Sequence, residues 1–375
     1  MRGVMLVGGF GTRLRPLTIT TPKPMLPIVN IPLLELELLH LKQYGVDEVI
    51  LSSGYLPDVF DEYFGDGSRL GMKLIHVTED EPLGTCGAVK NVERFLGDDT
   101  VIVCNGDILT DLDIAALFSY HMEKKATVTI TLTPVEDPTA YGLVPLHPDG
   151  RIKEFLEKPS WDQVVTNLIN AGTYVIDPKV FQQVPPNQNY SFERELFPSL
   201  LEQGVPMYGF PSDCYWLDLG TPAKYLKAHH DIMERKIKIP LKGKEIFEMV
   251  FAGDDVVIDE TARINPPCAL GDRVRIGPRA SVGSLCCLGD DVVVEAGASI
   301  EGSVILDGAN IGEDCVIEGS IVGKNTKLGK RVHVAEASVL GDNIVAEEDN
   351  EFRHGVRIWP STRIEAGKIR FYRTD

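Results

Sequence analysis

The sequence predicts an α/β fold, a doubly wound and mostly parallel sheet, followed by a second domain built as a parallel β-helix. Three observations carry this. Apolar runs alternate with helix-like segments early in the chain, the first run opens into a glycine-rich loop, and beyond residue 250 an apolar residue returns every six positions. Alternating strands and helices imply a parallel sheet covered on both faces. A strict period of six implies stacked coils whose apolar residues point into a prism. The expected boundaries are 1–228 for the first domain, 229–250 for a linker helix containing Glu234-Arg235-Lys236, and 251–375 for the second.

The elements follow in order. Val4–Val7 reads as a buried strand entering Gly8-Gly9-Phe10-Gly11. Leu33–Tyr44, rich in Leu with polar residues between, reads as a helix that Gly45 stops. Val49–Ser52 and Lys73–Val77 are strands, Gly87–Phe95 a helix, and Thr100–Cys104 a strand ending at Asn105-Gly106-Asp107. Asp111 and Asp113 suit a helix start. Ligands in such sheets sit at the carboxyl ends of strands, so the loops after Val7 and Cys104 are expected to meet.

The repeat is read by counting in sixes from Ile258: Ile264, Leu270, Ile276, Val282, Leu288, Val294, Ile300 and Leu306 are all Ile, Leu or Val. These types make up only about a quarter of ordinary sequence or less, so chance is a poor explanation. The phase slips by one, resumes at Ile311 and Ile317, slips again, and continues at Leu328, Val334 and Leu340. Glycine often follows the apolar residue, as at Gly271, Gly277, Gly283 and Gly289, which suits small residues turning corners. The pattern resembles left-handed β-helix domains, which implies three hexapeptides per coil and about four to five coils. Acidic residues between Gly302 and Asn350 fall mostly off the inward positions and read as a solvated face.

Composition narrows the function. Lys and Arg total 37 against 55 Asp and Glu, a formal charge of −18. That argues against a nucleic-acid binder, which needs basic surface to neutralise phosphates, and leaves room for a local basic pocket. Apolar residues at 43% and charged residues at 25% are ordinary globular usage. The chain has no apolar run of membrane-spanning length. Seven scattered cysteines without a CxxC, including the adjacent Cys286 and Cys287, read as buried thiols of a reducing, cytoplasmic compartment.

The most informative stretch is Leu6-Val7-Gly8-Gly9-Phe10-Gly11-Thr12-Arg13-Leu14-Arg15-Pro16-Leu17-Thr18, followed by Thr21-Pro22-Lys23-Pro24-Met25. Glycines after a strand let backbone N–H groups approach phosphate oxygens, and Arg13 and Lys23 add charge-assisted donors. A glycine loop by itself serves equally as a turn. It matches neither GxxxxGK[ST] nor GxGxxG. Asp107 and Asp218, in Trp216-Leu217-Asp218-Leu219-Gly220, are candidate ligands for a hard cation that takes one or two carboxylates plus phosphate oxygens. Taken singly, each is more often a turn or cap residue.

Taken together, GGxGTRLxPLT with the following PKPM resembles the signature of the sugar-1-phosphate nucleotidyltransferases, and the resemblance runs from end to end of the chain. Glu81-Pro82-Leu83-Gly84-Thr85-Cys86-Gly87-Ala88 and the late Arg357-Ile358-Trp359-Pro360 resemble the members that act on mannose 1-phosphate with GTP, with Cys86 where alanine is usual. The resemblance implies a Rossmann-like catalytic domain that makes GDP-mannose and pyrophosphate. It implies that Asp107 and Asp218 share one Mg²⁺, that Arg13 and Lys23 bind the nucleotide phosphates, and that Lys158 neutralises the sugar phosphate. Leu6, Gly8, Gly9, Gly11, Thr12, Gly84 and Thr85 are the implied nucleotide contacts, and Gly142, Glu157, Asn170 and Gly172 the sugar contacts. Guanine offers N–H donors, so Glu79, Asp80 or Glu81 suits it as an acceptor, or else forms a solvated acidic turn.

Other readings compete. Transfer of a thymidylyl or uridylyl group to glucose 1-phosphate, or of a guanylyl group to a heptose 1-phosphate, needs the same motifs. A β-helix acyltransferase needs a His base, and His333 alone falls within the counted repeats. A non-catalytic regulatory subunit predicts a damaged signature, which this chain lacks. The β-helix is expected to assemble a homo-oligomer; neither nucleic acid nor membrane is an expected partner.

Overall fold

The structure, a computed structural model, describes residues 1–239 and 241–370, so the last five residues of the expected second domain lie outside it. The chain divides into two compact units. One comprises Met1–Phe10 with Leu34–Trp216, the other Gly11–Leu33 with Leu217 onward.

The first unit is built on a nine-stranded sheet of β1 (Arg2–Leu6), β2 (Glu48–Ser53), β3 (Lys73–Thr78), β4 (Val101–Asn105), β5 (Val128–Pro134), β6 (Gly142–Leu143), β7 (Leu156–Glu157), β8 (Leu168–Ile176) and β9 (Met207–Pro211). The order is β7-β6-β8-β4-β1-β2-β3, with β5 and then β9 branching from β8. The strands β4, β1, β2 and β3 are mutually parallel, and β8 joins β4 antiparallel. Val4, Met5, Ile50, Leu51, Val101 and Val103 are almost fully buried, the continuous apolar character of strands covered on both faces. Helices α1 (Leu33–Gln43), α2 (Gly84–Asn91) and α3 (Ile114–Lys124) fall close to their expected positions. Asp113 caps α3 by accepting from Ala116 N at 2.9 Å, as expected, whereas Asp111 accepts from Tyr215 N at 2.7 Å.

In the second unit, α4 runs Pro222–Met233, capped by Thr221. The expected linker helix over 229–250 is therefore only the end of α4. It is followed by a hairpin of Lys244–Phe247 and Val250–Ala252 that opens the β-helix. The three faces of the β-helix carry eight, seven and six strands. Setting aside the antiparallel Lys244–Phe247, that makes between six and seven coils, more than the four to five expected. The count fell short because the inward positions continue through Ala346, Phe352 and Ile364, and Ala and Phe do not register in a tally of Ile, Leu and Val. His354 consequently falls within the span of the coils, on their exposed surface.

Two further details differ from expectation. The first phase slip lies before Leu306: the residue stacked on Leu288 and inside the prism is Ile305. Each shortened corner carries a left-handed glycine, Gly302 (φ 54°) and Gly319 (φ 47°). Elsewhere the left-handed corner residue is often not glycine, as at Arg273, Asp291, Arg331 and Asp349. The glycine that follows the inward residue answers to close stacking instead. A Cβ on Gly271 would lie 2.6 Å from Asp290 N of the next coil, and one on Gly289 would lie 2.6 Å from Asp307 N.

Candidate active site

In the first unit, β1 and β4 run side by side with Leu6 opposite Asn105, and Gly106 N donates to Leu6 O at 2.9 Å. The loops after Val7 and Cys104 therefore meet, as the sheet rule requires, where the strand order reverses. A Cβ on Gly106 would lie 2.6 Å from Val7, so this approach needs glycine, and it brings half-buried Asp107 to the mouth of the glycine loop. Glu79, at the end of β3, accepts from Ser52 Oγ at 3.0 Å and from Leu83 N at 3.1 Å. Its carboxylate also lies 3.4 Å from where a Gly8 Cβ would stand. Glu79 thus braces the floor beneath Gly8 and the turn into α2, while Asp80 and Glu81 are exposed.

Gly84 opens α2 with φ +70°, and a Cβ there would lie 2.9 Å from Tyr190 O. Thr85 Oγ1 accepts from Phe192 N at 3.0 Å and donates to Glu193 at 3.3 Å. Glu193 escaped the sequence reading. Its other oxygen accepts from Tyr174 OH at 3.1 Å and from Asn170 Nδ2 at 3.4 Å, so one carboxylate ties an expected nucleotide contact to an expected sugar contact. Burial and the Glu193 charge push the Tyr174 phenol well above its ordinary pKa, which keeps its proton in place as a donor. The only cue was acidic spacing in Ser191-Phe192-Glu193-Arg194-Glu195, which also describes a helix start.

The remaining residues expected to contact the sugar share this unit. Gly142 lies opposite Glu157 across β6 and β7, and its Cβ would stand 3.0 Å from the Glu157 carboxylate. Lys158 is exposed, sits in the left-handed region (φ 45°), and donates its backbone N–H to Tyr141 O at 3.0 Å. Gly172 (φ +75°) interrupts the register of β8 between Asn170 and Tyr174, where a Cβ would strike Asn105 at 2.6 Å. Asn170 Oδ1 accepts from Gly172 N at 2.9 Å and holds this bulge. Trp216, also unforeseen, donates from Nε1 to Ala171 O at 2.9 Å and stands edge-on to Tyr141.

The second unit gathers the cations. Gly11 takes φ +57° and starts a single 3₁₀ turn, Thr12–Leu14, which leaves Thr12 and Arg13 exposed. Lys23 is only 6% exposed, and its Nζ lies 3.2 Å from Asp218 Oδ1. Arg13 Nη2 and Lys224 Nζ stand 3.9 and 3.5 Å from Asp218 Oδ2. Three cations thus converge on one carboxylate, a pocket of net positive charge suited to several phosphate oxygens. Lys224, in the first turn of α4, was missed because a lone Lys after Thr-Pro-Ala carries no motif.

A family model described as nucleotidyl transferase matches residues 2–235, and another, described as GMPPB C-terminal domain, matches residues 252–369. This chain belongs to the nucleotidyltransferase family. The nucleotidyltransferase is 38% identical over 370 residues to a mannose-1-phosphate guanylyltransferase of Mycobacterium tuberculosis, covering 98% of this chain and 97% of that one. It is 32% identical to a UTP–glucose-1-phosphate uridylyltransferase of Synechocystis, covering 91% and 87%. Among solved structures, HddC from Yersinia pseudotuberculosis complexed with GMP-PN covers 62% of this nucleotidyltransferase and 99% of its own chain, at 30% identity and a TM-score of 0.54.

Among the described residues of the nucleotidyltransferase, no group of three or more His, Cys, Asp or Glu is placed to hold a metal ion by side chains alone. A cation held by one or two carboxylates and completed by phosphate oxygens needs no such group, and oxygen donors of this kind fit Mg²⁺. No helix of the described residues is long and apolar enough to cross a membrane.

Proposed function

We propose that this nucleotidyltransferase makes GDP-mannose and pyrophosphate from GTP and mannose 1-phosphate. The observation that carries the reading is the buried Lys23 with Arg13 and Lys224 around Asp218, directly downstream of the glycine loop. An oxygen of the sugar phosphate attacks the α-phosphorus, a P–O bond forms, and the bond to the bridging oxygen of the leaving pyrophosphate breaks. Two anions must approach, so the work of the protein is alignment and neutralisation.

In this reading Arg13 and Lys23 bind the triphosphate, and Arg13 keeps its charge on the departing pyrophosphate. Gly8, Gly9, Gly11 and Thr12 present backbone N–H groups, while Gly84 and Thr85 meet the nucleoside. Lys158 holds the sugar phosphate, and Glu157, Asn170 and the Gly142 and Gly172 backbones orient the hydroxyls. Asp107 and Asp218 would hold Mg²⁺, which supplies Lewis-acid polarisation and a template for phosphate oxygens. The preference for GTP and mannose draws its support from the guanylyltransferase relative. We further propose a homo-oligomer through the β-helix, where Val257, Val316 and Trp359 are exposed, and a cytoplasmic setting, which suits seven free thiols.

The test is pyrophosphate release with Mg²⁺ across GTP, UTP, dTTP, ATP and CTP, each paired with mannose 1-phosphate or glucose 1-phosphate. Release confined to GTP with mannose 1-phosphate is expected. Release with UTP or dTTP and glucose 1-phosphate keeps the mechanism and overturns the substrates, and silence overturns the mannose 1-phosphate reading in favour of a heptose 1-phosphate acceptor or a regulatory subunit.

A further inference from the structure

The segment that carries Arg13 and Lys23 is held by the β-helix at three heights. Asn30 Nδ2 donates to Leu288 O at 2.9 Å, and Thr20 Oγ1 donates to Asp342 Oδ2 at 2.5 Å. The third hold differs in kind. Arg357 Nη1 donates to Arg15 O at 3.0 Å and to Arg13 O at 3.4 Å, so it grips the peptide backbone of a proposed phosphate ligand.

The loop needs this help. Its 3₁₀ turn is three residues long, closed by Leu14 N to Gly11 O at 2.9 Å and Arg15 N to Thr12 O at 3.3 Å. One turn with two bonds is a weak constraint, reinforced by buried Leu14 between the two arginines and by Thr18 Oγ1 donating to Gly11 O at 2.8 Å, and the Arg13 side chain, 71% exposed, meets Asp218 at 3.9 Å. Arg357 comes from a rigid element. Its strand, Arg357–Ile358, pairs with Val339–Leu340, and Ile358 packs against the β-helix core, so the neighbouring Arg357 points outward. Both bonds leave the same nitrogen, whose two N–H groups serve the two carbonyls.

We propose that Arg357 is a positioning residue for Arg13: by holding the carbonyls of Arg13 and Arg15, the β-helix sets where the Arg13 guanidinium meets the phosphates. The inference rests on the assignment of Arg13 to the triphosphate and pyrophosphate. It gives the β-helix a part in the reaction as well as in assembly, because a misplacement of about 1 Å at a charged ligand costs up to about a hundredfold in rate.

The test is steady-state kinetics in both directions for Arg357→Ala and Arg357→Lys, each also in an Arg13→Ala background, with urea unfolding midpoints as the control for folding. Arg357→Ala is expected to raise KM for the nucleoside triphosphate and for pyrophosphate about tenfold, to spare KM for the sugar phosphate, and to be partly rescued by Lys. In the Arg13→Ala background the same substitution should change little, less than about twofold. Unchanged constants for Arg357→Ala, a uniform rise in every KM, or full additivity with Arg13→Ala would overturn the positioning role alone. An Arg13→Ala enzyme with wild-type constants would overturn the phosphate assignment and the inference with it.

Discussion

The ammonium of Lys23 lies 3.2 Å from a carboxylate oxygen of Asp218, across 195 residues of sequence. With Lys23 only 6% exposed, water does little to screen the pair. In the proposed reading, a lysine so held is in place before the phosphates arrive, and little side-chain ordering remains to be done on binding.

Lys23→Met should therefore lower kcat/KM by about 10²–10³ while the fold survives. Asp218 still keeps Lys224 at 3.5 Å, so no uncompensated carboxylate is left behind. Single-turnover pyrophosphate release checks this, with circular dichroism for the fold. A loss below about threefold would argue against the assignment of Lys23.

Glu193→Gln separates structure from substrate orientation. The carboxylate accepts from Ser191, Thr85, Tyr174 and Asn170, and an amide nitrogen cannot replace half of that set. Losing a charge-assisted acceptor costs about 1.5–3 kcal/mol. KM for the sugar phosphate is expected to rise, with a smaller effect on the nucleotide, and a thermal melt should fall by several degrees.

Gly289→Ala should destabilise the β-helix by about 1–3 kcal/mol through overpacking. The new Cβ would meet the Asp307 backbone nitrogen at 2.6 Å, and one coil cannot retreat from the next without breaking the ladder on that face. Chemical unfolding of the full chain reads the loss directly. A variant as stable as wild type would show that the stacking is looser than the geometry states.

His229 sets a pH dependence. Burial, aided by neighbouring His230, lowers its pKa from 6.5 to about 3, and its Nδ1 accepts from Val29 N at 3.2 Å. The folded chain keeps this ring neutral while the unfolded chain protonates it. Stability is therefore full above about pH 6.5 and lost as the pH falls towards 3, with a slope on the order of 1.4 kcal/mol per pH unit. His40, His121 and His230 are shifted in the same direction. His229→Gln should remove one proton's share of the slope between pH 6 and 4 in urea titrations, and an unchanged slope would contradict this.

By itself the sequence determined the elements whose signal is local. A glycine loop after Val4–Val7, a cap at Asp113 and a repeat from Ile258 are written in neighbouring residues, because strand burial, capping and coil stacking act over a few positions. It also singled out Arg13, Lys23, Asp107 and Asp218 as candidates, through the resemblance that the long GGxGTRLxPLT and PKPM pattern carries. Only the tertiary structure decided that residues 11–33 group with Leu217 onward and not with the sheet they interrupt. The reason lies in long-range hydrogen bonds that leave no mark on the chain: Tyr225 to Pro27, Val29 to His229, Asn30 to Leu288 and Arg357 to Arg15. Glu193 and Lys224 were silent for the same cause. A carboxylate or an ammonium acquires its role from what the fold sets within about 4 Å of it, and that distance is a property of the whole chain.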